Sequence, residues 1–380
     1  MLRSGLRRED IKTKTHKIVD TLFRNIPSGV GSCRKDLKLG PKELSKVFKD
    51  GVKWAIRHGF GTSEDLEHIE AQGCLKGVDP GKVSERALDR GRAQLGTLGS
   101  GNHFVEVGYV DEVYDHQVAS AFGLEKGGVT VLIHTGSRGL GHQVCDDYIK
   151  VMMGASCRYG IELPDKQLCC APVSSQEGKN YLAAMACAAN FAFVNRQMIT
   201  HWTRESFKQV FHSGPKELQL EVVYDVCHNI AKLEIHEVDG KTKELCVHRK
   251  GATRAFPAGQ SDIPYDYQKV GQPVLIPGDM GRYSYVLVGT EKAYNETFGS
   301  TCHGAGRLMS RHQAKKTAKG RSITKELESQ GIVVRGASRD TLVEEISDAY
   351  KDVNDVVHVV HKAGISKKVV RLRPIGVIKG

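Results

Sequence analysis

The chain has 380 residues and carries 55 Lys and Arg against 44 Asp and Glu, a formal net charge of +11. That length can bury a large core, in one big domain or in two or three smaller ones, and the positive balance suits a polyanionic partner such as nucleic acid or a nucleotide. No apolar run approaches the length of a membrane span and the first ten residues hold no apolar signal core, which favours an intracellular protein. The ten cysteines are scattered, with one adjacent pair and no CxxC, so a disulfide framework is not expected.

In chain order, Ile11, Ile18, Val19, Leu22 and Phe23 predict one helix over 9–25, and the loop Pro27–Ser32 ends it. Pro41 opens a second helix, with Leu44, Val47, Phe48, Val52, Ala55 and Ile56 on one face. Residues 62–98 read as short helices and loops. A glycine-rich turn then feeds a strand in which His103 and Val105 share one face, Phe104 and Glu106 the other. A second strand, Val129–His134, ends in the small-residue loop that holds Arg138. Residues 178–211 predict a long, alanine-rich, interior helix. Leu218–Val226 reads as a strand ending at Cys227-His228-Asn229, and Asp239-Gly240 between two alternating runs predicts a hairpin. The basic loop Arg249–Arg254 follows, without the spacing of a Walker P-loop. Two strand patterns then flank Pro277-Gly278-Asp279-Met280-Gly281. The tail predicts a solvated basic stretch at 315–321, a helix containing Tyr350, and a last strand over Val369–Ile378. No internal repeat and no clear domain boundary stand out.

Chemistry concentrates where histidines meet glycines. His103, His134 and His228 each sit at a strand end beside small residues, the grammar of ligand and metal sites in mixed α/β proteins. Neutral imidazoles suit divalent Mn, Zn, Fe or Ni, and a carboxylate or thiolate normally completes such a set; no Asp or Cys stands in an obvious local motif to do so. Singly, each histidine is more often structural, and Asn102, Asn229, Asp279 and Ser284 are ordinary turn or strand residues. His303 differs. It precedes Gly304-Ala305-Gly306, and the pattern Arg307–Ala314 predicts a helix directly after it, so the segment reads as a helix-start phosphate site. Histidine is also among the few side chains able to carry a phosphoryl or nucleotidyl group covalently. Arg138, Arg254, Arg307 and Arg311 are candidates to neutralise phosphates.

With these motifs in view, the sequence resembles the RtcB family of RNA-splicing ligases, which join RNA 3′-phosphate to 5′-hydroxyl ends. The resemblance runs from about Arg3 to Gly380. It rests on Asp20–Phe23 with Pro27–Gly31, Gly99–Glu106, His134–Gly141, His228–Ala231, Arg249–Arg254, Pro277–Gly281, Cys302–Arg307 and Lys379-Gly380. It implies an α+β (mixed α/β) fold with large mixed β-sheets and surrounding helices, as one catalytic domain over 1–380. It implies that His303 is the nucleophile that takes GMP from GTP and passes it to an RNA 3′-phosphate, where 2′,3′-cyclic ends are first opened. It further implies that His103, His134 and His228 are ligands in a site for two Mn(II) ions. The guanylate contacts it implies are Asn102, His103, Phe104, Val105, Glu106, His228, Asn229, Pro277, Gly278, Asp279, Met280, Ser284, His303, Gly304, Ala305, Gly306, Tyr350 and Lys379. Cleaved RNA such as tRNA exon halves is the implied substrate, and archease and other subunits of a tRNA ligase complex are implied partners. Members also carry, upstream of the matched region, a segment with an Asp-x-x-x-Cys-Gly type motif whose Asp and Cys ligate metal. Set against this chain, that leaves two main expectations, a shortened piece of an active ligase or a non-catalytic paralogue that binds RNA or a partner, and a lesser third, a metal-dependent phosphoesterase that reuses the histidines.

Overall fold

The computed structural model describes residues 1–380. Twelve strands occur in the order β1 (Leu2–Arg7), β2 (Phe104–Val113), β3 (Gly128–His134), β4 (Glu221–Val222), β5 (Asn229–Val238), β6 (Lys241–Lys250), β7 (Ala252–Arg254), β8 (Pro273–Ile276), β9 (Ser284–Gly289), β10 (Ser300–Cys302), β11 (Val333–Gly336) and β12 (Ser366–Lys379). Eight of them form one sheet, ordered β4-β1-β3-β2-β12-β9-β8, with β11 added in parallel to the end of β12. Every other pairing in it is antiparallel. Two small sheets, β5-β6 and β7-β10, stand beside it. With its many helices this is an α+β fold, as the sequence predicts.

The sheet is buried on both faces, so successive residues enter different cores. Val105, Val107, Val129, Val131 and Ile378 pack with the helix Thr15–Asn25 and with Ile199 and Phe207. Phe104, Leu132, Val286, Val370, Leu372 and Val377 pack on the opposite face with the later helices. The helix Gln176–Phe211 ties the cores together. Ile199 and Phe207 face the sheet, while Ala184, Cys187, Phe191 and Val194 face the helices Pro41–Asp50, Glu85–Gly91 and Arg138–Arg158. Its alanines let those neighbours approach closely. No helix is long and apolar enough to cross a membrane.

Several local expectations need correction. The helix over 9–25 is two, Arg8–Lys12 and Thr15–Asn25. The helix opened by Pro41 stops at Asp50, because Gly51 has φ 53° and ψ −137°, and a second helix, Val52–Arg57, follows. The predicted strand Leu218–Val226 shrinks to Glu221–Val222, since it pairs only with the start of β1; beyond it Asp225 N–H turns to the carbonyl of His68. The basic stretch 315–321 does face solvent for the most part, as expected, although Lys315 lies in the helix Arg311–Thr317 and pairs with Asp340 and Glu344, and Arg321 pairs with Glu326 and Asp348. The hairpin forms as predicted, with positive φ at Asp239 and Gly240.

Candidate functional site

Strand pairing gathers the site. Phe104 on β2 stands opposite His134 on β3 and, across its other edge, opposite Lys379 on β12. His103 precedes β2, so it emerges at the same end as His134. His228 precedes β5. Lys250 at the end of β6 pairs back to Asn229, Gly251 turns the chain, and Cys302 on β10 pairs with Ala252 on β7. That sequence of pairings lays His303 against His228, their rings stacked at 4.3 Å between centroids and 6° between planes.

His134 Nε2 lies 3.0 Å from His228 Nε2, and the His103 and His134 ring centroids are 6.0 Å apart. Burial pushes all four imidazoles down, His103 and His228 to about 3, His134 well below its ordinary value, and His303 in the same direction with a smaller contribution from Lys250. Each is therefore neutral at pH 7, the form that ligates a cation or attacks phosphorus. The Nδ1 atoms of His134, His228 and His303 are buried without a hydrogen-bond partner.

The Nε2 pair passes a first test for a cation. Two ligands at about 2.1 Å from one ion and at right angles stand about 3 Å apart, and two neutral imidazoles aimed at each other are the donors such an ion needs. Other donors do not join them: no three His, Cys, Asp or Glu side chains anywhere in the chain are grouped to hold a metal. Cys227, beside His228, takes a hydrogen bond at 3.6 Å from Arg196 and is pushed up to about 12 by burial, and burial raises Cys302 as well.

Arg196, on the long helix, was not singled out in the sequence. It bonds Asp225 at 2.6 Å, the carbonyl of Thr135 at 3.3 Å and Cys227. Thr135 follows His134 and Cys227 precedes His228, so one guanidinium ties the two chain segments that carry the imidazole pair. This group also borders a larger, mostly apolar cavity of about 480 Å³ that has His134, His228 and Asn229 on its wall.

The chemistry converges on a smaller cavity of about 260 Å³. Asn102, Phe104, Glu106, Pro277 to Met280, His303 to Gly306, Tyr350 and Lys379 line it, together with His134, Arg307, Arg311 and Glu345. Burial raises Glu106 to about 8 and lowers Lys379 to about 8. Asp279 is engaged by Arg282 at 2.5 Å, by Gly281 N–H at 3.0 Å and by Ser347. Ser284 stands behind this wall, its hydroxyl accepting from Gly278 N–H at 3.3 Å. Of the remaining candidates, His228 and Asn229 border the larger cavity instead, and His103 lines neither. Val105 points to the opposite face of the sheet, where it is fully buried.

His303 does not begin a helix. The next helix starts only at Arg311, with Ser310 as its N-cap. Gly306 has φ 78°, Arg307 pairs as an isolated antiparallel bridge with Tyr350, and the Arg307 guanidinium is drawn to the carbonyls of Glu344 and Met309 and to Glu345. The loop is thus held extended along the cavity wall. Tyr350 is likewise extended, between a single 3-10 turn and the helix Val353–Ala363. Arg254 is buried against Tyr224, Gln272 and Glu70 and cannot meet a phosphate, whereas Arg138 borders the Pro27–Ser32 loop through Ser32 and Gly29. Glu345 carried no local signal. A buried carboxylate inside an apolar-polar helix repeat looks like any surface glutamate until its neighbours are known.

Fold and site together define an α+β protein whose one large, mostly antiparallel sheet opens, at the ends of three adjacent strands, onto a cleft of about 260 Å³ edged by the neutral His134 and His303. The family model described as "tRNA-splicing ligase RtcB" matches residues 1–380, and the chain belongs to that family. Curated relatives bearing the same name are similar over the full length of the chain. The one from Archaeoglobus fulgidus is 57% identical, the one from Thermococcus kodakarensis 54% and the one from Aeropyrum pernix 55%, and the chain covers 79% of the length of each.

Proposed function

We propose that this protein is an RNA ligase of tRNA splicing that joins a 3′-phosphate or 2′,3′-cyclic phosphate end to a 5′-hydroxyl end, with GTP as the activating nucleotide and residues 1–380 acting as one catalytic domain. The observation that carries the reading is a neutral His303 on the wall of a 260 Å³ cavity that also holds Lys379 and Glu106. His303 attacks the α-phosphorus of GTP, forming a P–N bond as pyrophosphate leaves. The RNA 3′-phosphate oxygen then takes the guanylate from His303 and becomes a mixed anhydride. The 5′-hydroxyl oxygen attacks the 3′-phosphorus of that anhydride, loses its proton, and GMP departs. A bare phosphate monoester is a poor electrophile, and GMP supplies the leaving group it lacks.

His134 and His228, with His103 beside them, are the residues that would hold Mn(II), which when bound supplies neutralisation of phosphate charge. The chain's own residues do the rest. Stacking on His228 fixes the plane of His303, burial keeps it unprotonated, and Phe104, Tyr350 and Lys379 enclose the base. Arg138 beside Gly99, and Arg311 beside Gly101 and on the cavity wall, stand on the path of the RNA phosphates. A non-catalytic RNA-binding role is not favoured, because the nucleophile and the cavity are both intact. An intracellular place of action and archease-type partners belong to the same reading.

The test is labelling with α-labelled GTP and Mn(II). An acid-labile, alkali-stable adduct is expected on the protein and not on His303→Ala. Ligation that survives His303→Ala would sink the assignment.

A further inference from the structure

Glu345 is 1% exposed and lies at the end of the short helix Arg339–Glu344, on the wall of the smaller cavity. Its carboxylate accepts from Arg307 at 3.0 Å and from the Tyr350 hydroxyl, and it stands 3.7 Å from Lys379 Nζ and 3.8 Å from Arg311 Nε. The four groups come from three separate segments: the loop after His303 into the next helix, the extended residue that bridges it, and the end of β12. One buried carboxylate thus faces two guanidiniums and an ammonium. We propose that Glu345 is the positioning residue that makes this cavity select guanine, by holding Lys379 charged and in place and by fixing the ring of Tyr350.

This rests on the nucleotide reading of the cavity and deepens it. An ammonium only donates hydrogen bonds. Guanine offers acceptors at O6 and N7, while adenine puts an amino donor where guanine has O6. A charged Lys379 therefore favours guanine, whereas a neutral amine would accept from adenine as well. Lys379 has no hydrogen-bond acceptor in the structure; its one ion-pair partner is Glu345, and beneath it lies only the Phe104 ring, 5.3 Å away. Burial draws its pKa down, and the charge of Glu345 is the strongest force opposing that. Asp279 cannot substitute, because Arg282, Gly281 and Ser347 already engage it.

The fold does not need Glu345 in the same way. Arg307 keeps the carbonyls of Glu344 at 2.8 Å and Met309 at 3.1 Å without it. Tyr350 keeps the Arg307 Nη1 bond at 3.0 Å, but loses the acceptor that sets its hydroxyl.

The experiment is equilibrium binding of GTP and of ATP to the full chain with Mn(II), every protein carrying His303→Ala so that no covalent guanylate forms, for the chain otherwise wild type, Glu345→Gln, Glu345→Asp, Lys379→Met and the Glu345→Gln/Lys379→Met double variant, with a thermal melt of each. The otherwise wild-type chain is expected to prefer GTP, and Glu345→Gln to lose about tenfold or more of that preference, the worth of one well-placed base contact. Glu345→Asp, which keeps the charge, should retain part of it, and once Lys379 is Met, the effect of Glu345→Gln should lose the share that runs through Lys379 and keep only the smaller one that runs through the Tyr350 hydroxyl. A merely structural role would weaken both nucleotides alike and leave their ratio unmoved. A GTP-to-ATP ratio within about twofold of the otherwise wild-type chain in folded Glu345→Gln, or in Glu345→Asp and the double variant should Gln fail to fold, overturns the role of Glu345 alone. An otherwise wild-type chain that binds neither nucleotide, or both equally, overturns the nucleotide reading and Glu345's role with it.

Discussion

His303 and Lys379 lie on one cavity but meet pH in different ranges. Burial lowers the pKa of His303 below that of a free imidazole, so its neutral, nucleophilic form persists through neutral pH and is lost only on the acid side. Lys379 titrates near 8: its positive charge is present below that value and lost above it. If that charge binds the nucleotide, the affinity advantage of wild type over Lys379→Met for GTP is large at neutral pH and shrinks as pH rises through about 8. Titrating GTP into both proteins across that range measures it, and a constant ratio would remove Lys379's charge from recognition. Residue by residue, the sequence exposes the groups that glycine and histidine mark, such as His134 and His303. Glu345 and Arg196 stay hidden because Lys379 for the one, and Thr135 and Cys227 for the other, lie 31 to 61 positions away, a distance no local pattern spans.

At the scale of elements, the long helix, the hairpin and the last strand were legible because each has a strong period or a turn signal of its own. The expected helix after His303 was not, because a tertiary competitor wins: Arg307 exchanges the first helical turn for a bridge to Tyr350 and bonds to the 344–345 segment. The same kind of long-range tie organises the imidazole pair. Metal-binding histidines normally anchor their second ring nitrogen on a hydrogen-bond partner, yet Nδ1 of both His134 and His228 has none. Orientation then depends on the backbone, and Arg196 clamps it from the long helix. Arg196→Lys keeps a charge for Asp225 but cannot span three acceptors. It is expected to cost about 1–3 kcal/mol of stability and about tenfold or more in affinity for Mn(II), read by denaturant unfolding and by electron paramagnetic resonance of free Mn(II). Unchanged Mn(II) affinity in a folded Arg196→Lys protein would show that the clamp does not serve the pair.

Across the whole molecule, family and fold class follow from motif order, whereas the topology does not. Nothing local to Ser366–Lys379 announces that one strand pairs with β2 along one edge and with β9 and then β11 along the other, yet that wrapping carries Lys379 to Phe104 and His134. The charge balance is likewise a property of the whole chain. Only five of its 55 basic side chains are buried, three of them in the pairs Arg204–Asp65, Arg249–Glu234 and Arg196–Asp225. Those pairs cancel one for one, so the excess of +11 sits with side chains that face solvent. An RNA strand laid on such a surface releases condensed counterions, and its affinity must fall as salt rises, with a logarithmic slope of about 0.7 per phosphate neutralised for a single strand. Binding of an RNA with a 3′-phosphate end, measured over a salt series, should show a slope of several units, and Arg138→Ala or Arg311→Ala should each reduce it by roughly one contact. A slope near zero would mean that the RNA is held by groups other than this excess charge, and the placement of its phosphates beside Arg138 and Arg311 would fail with it.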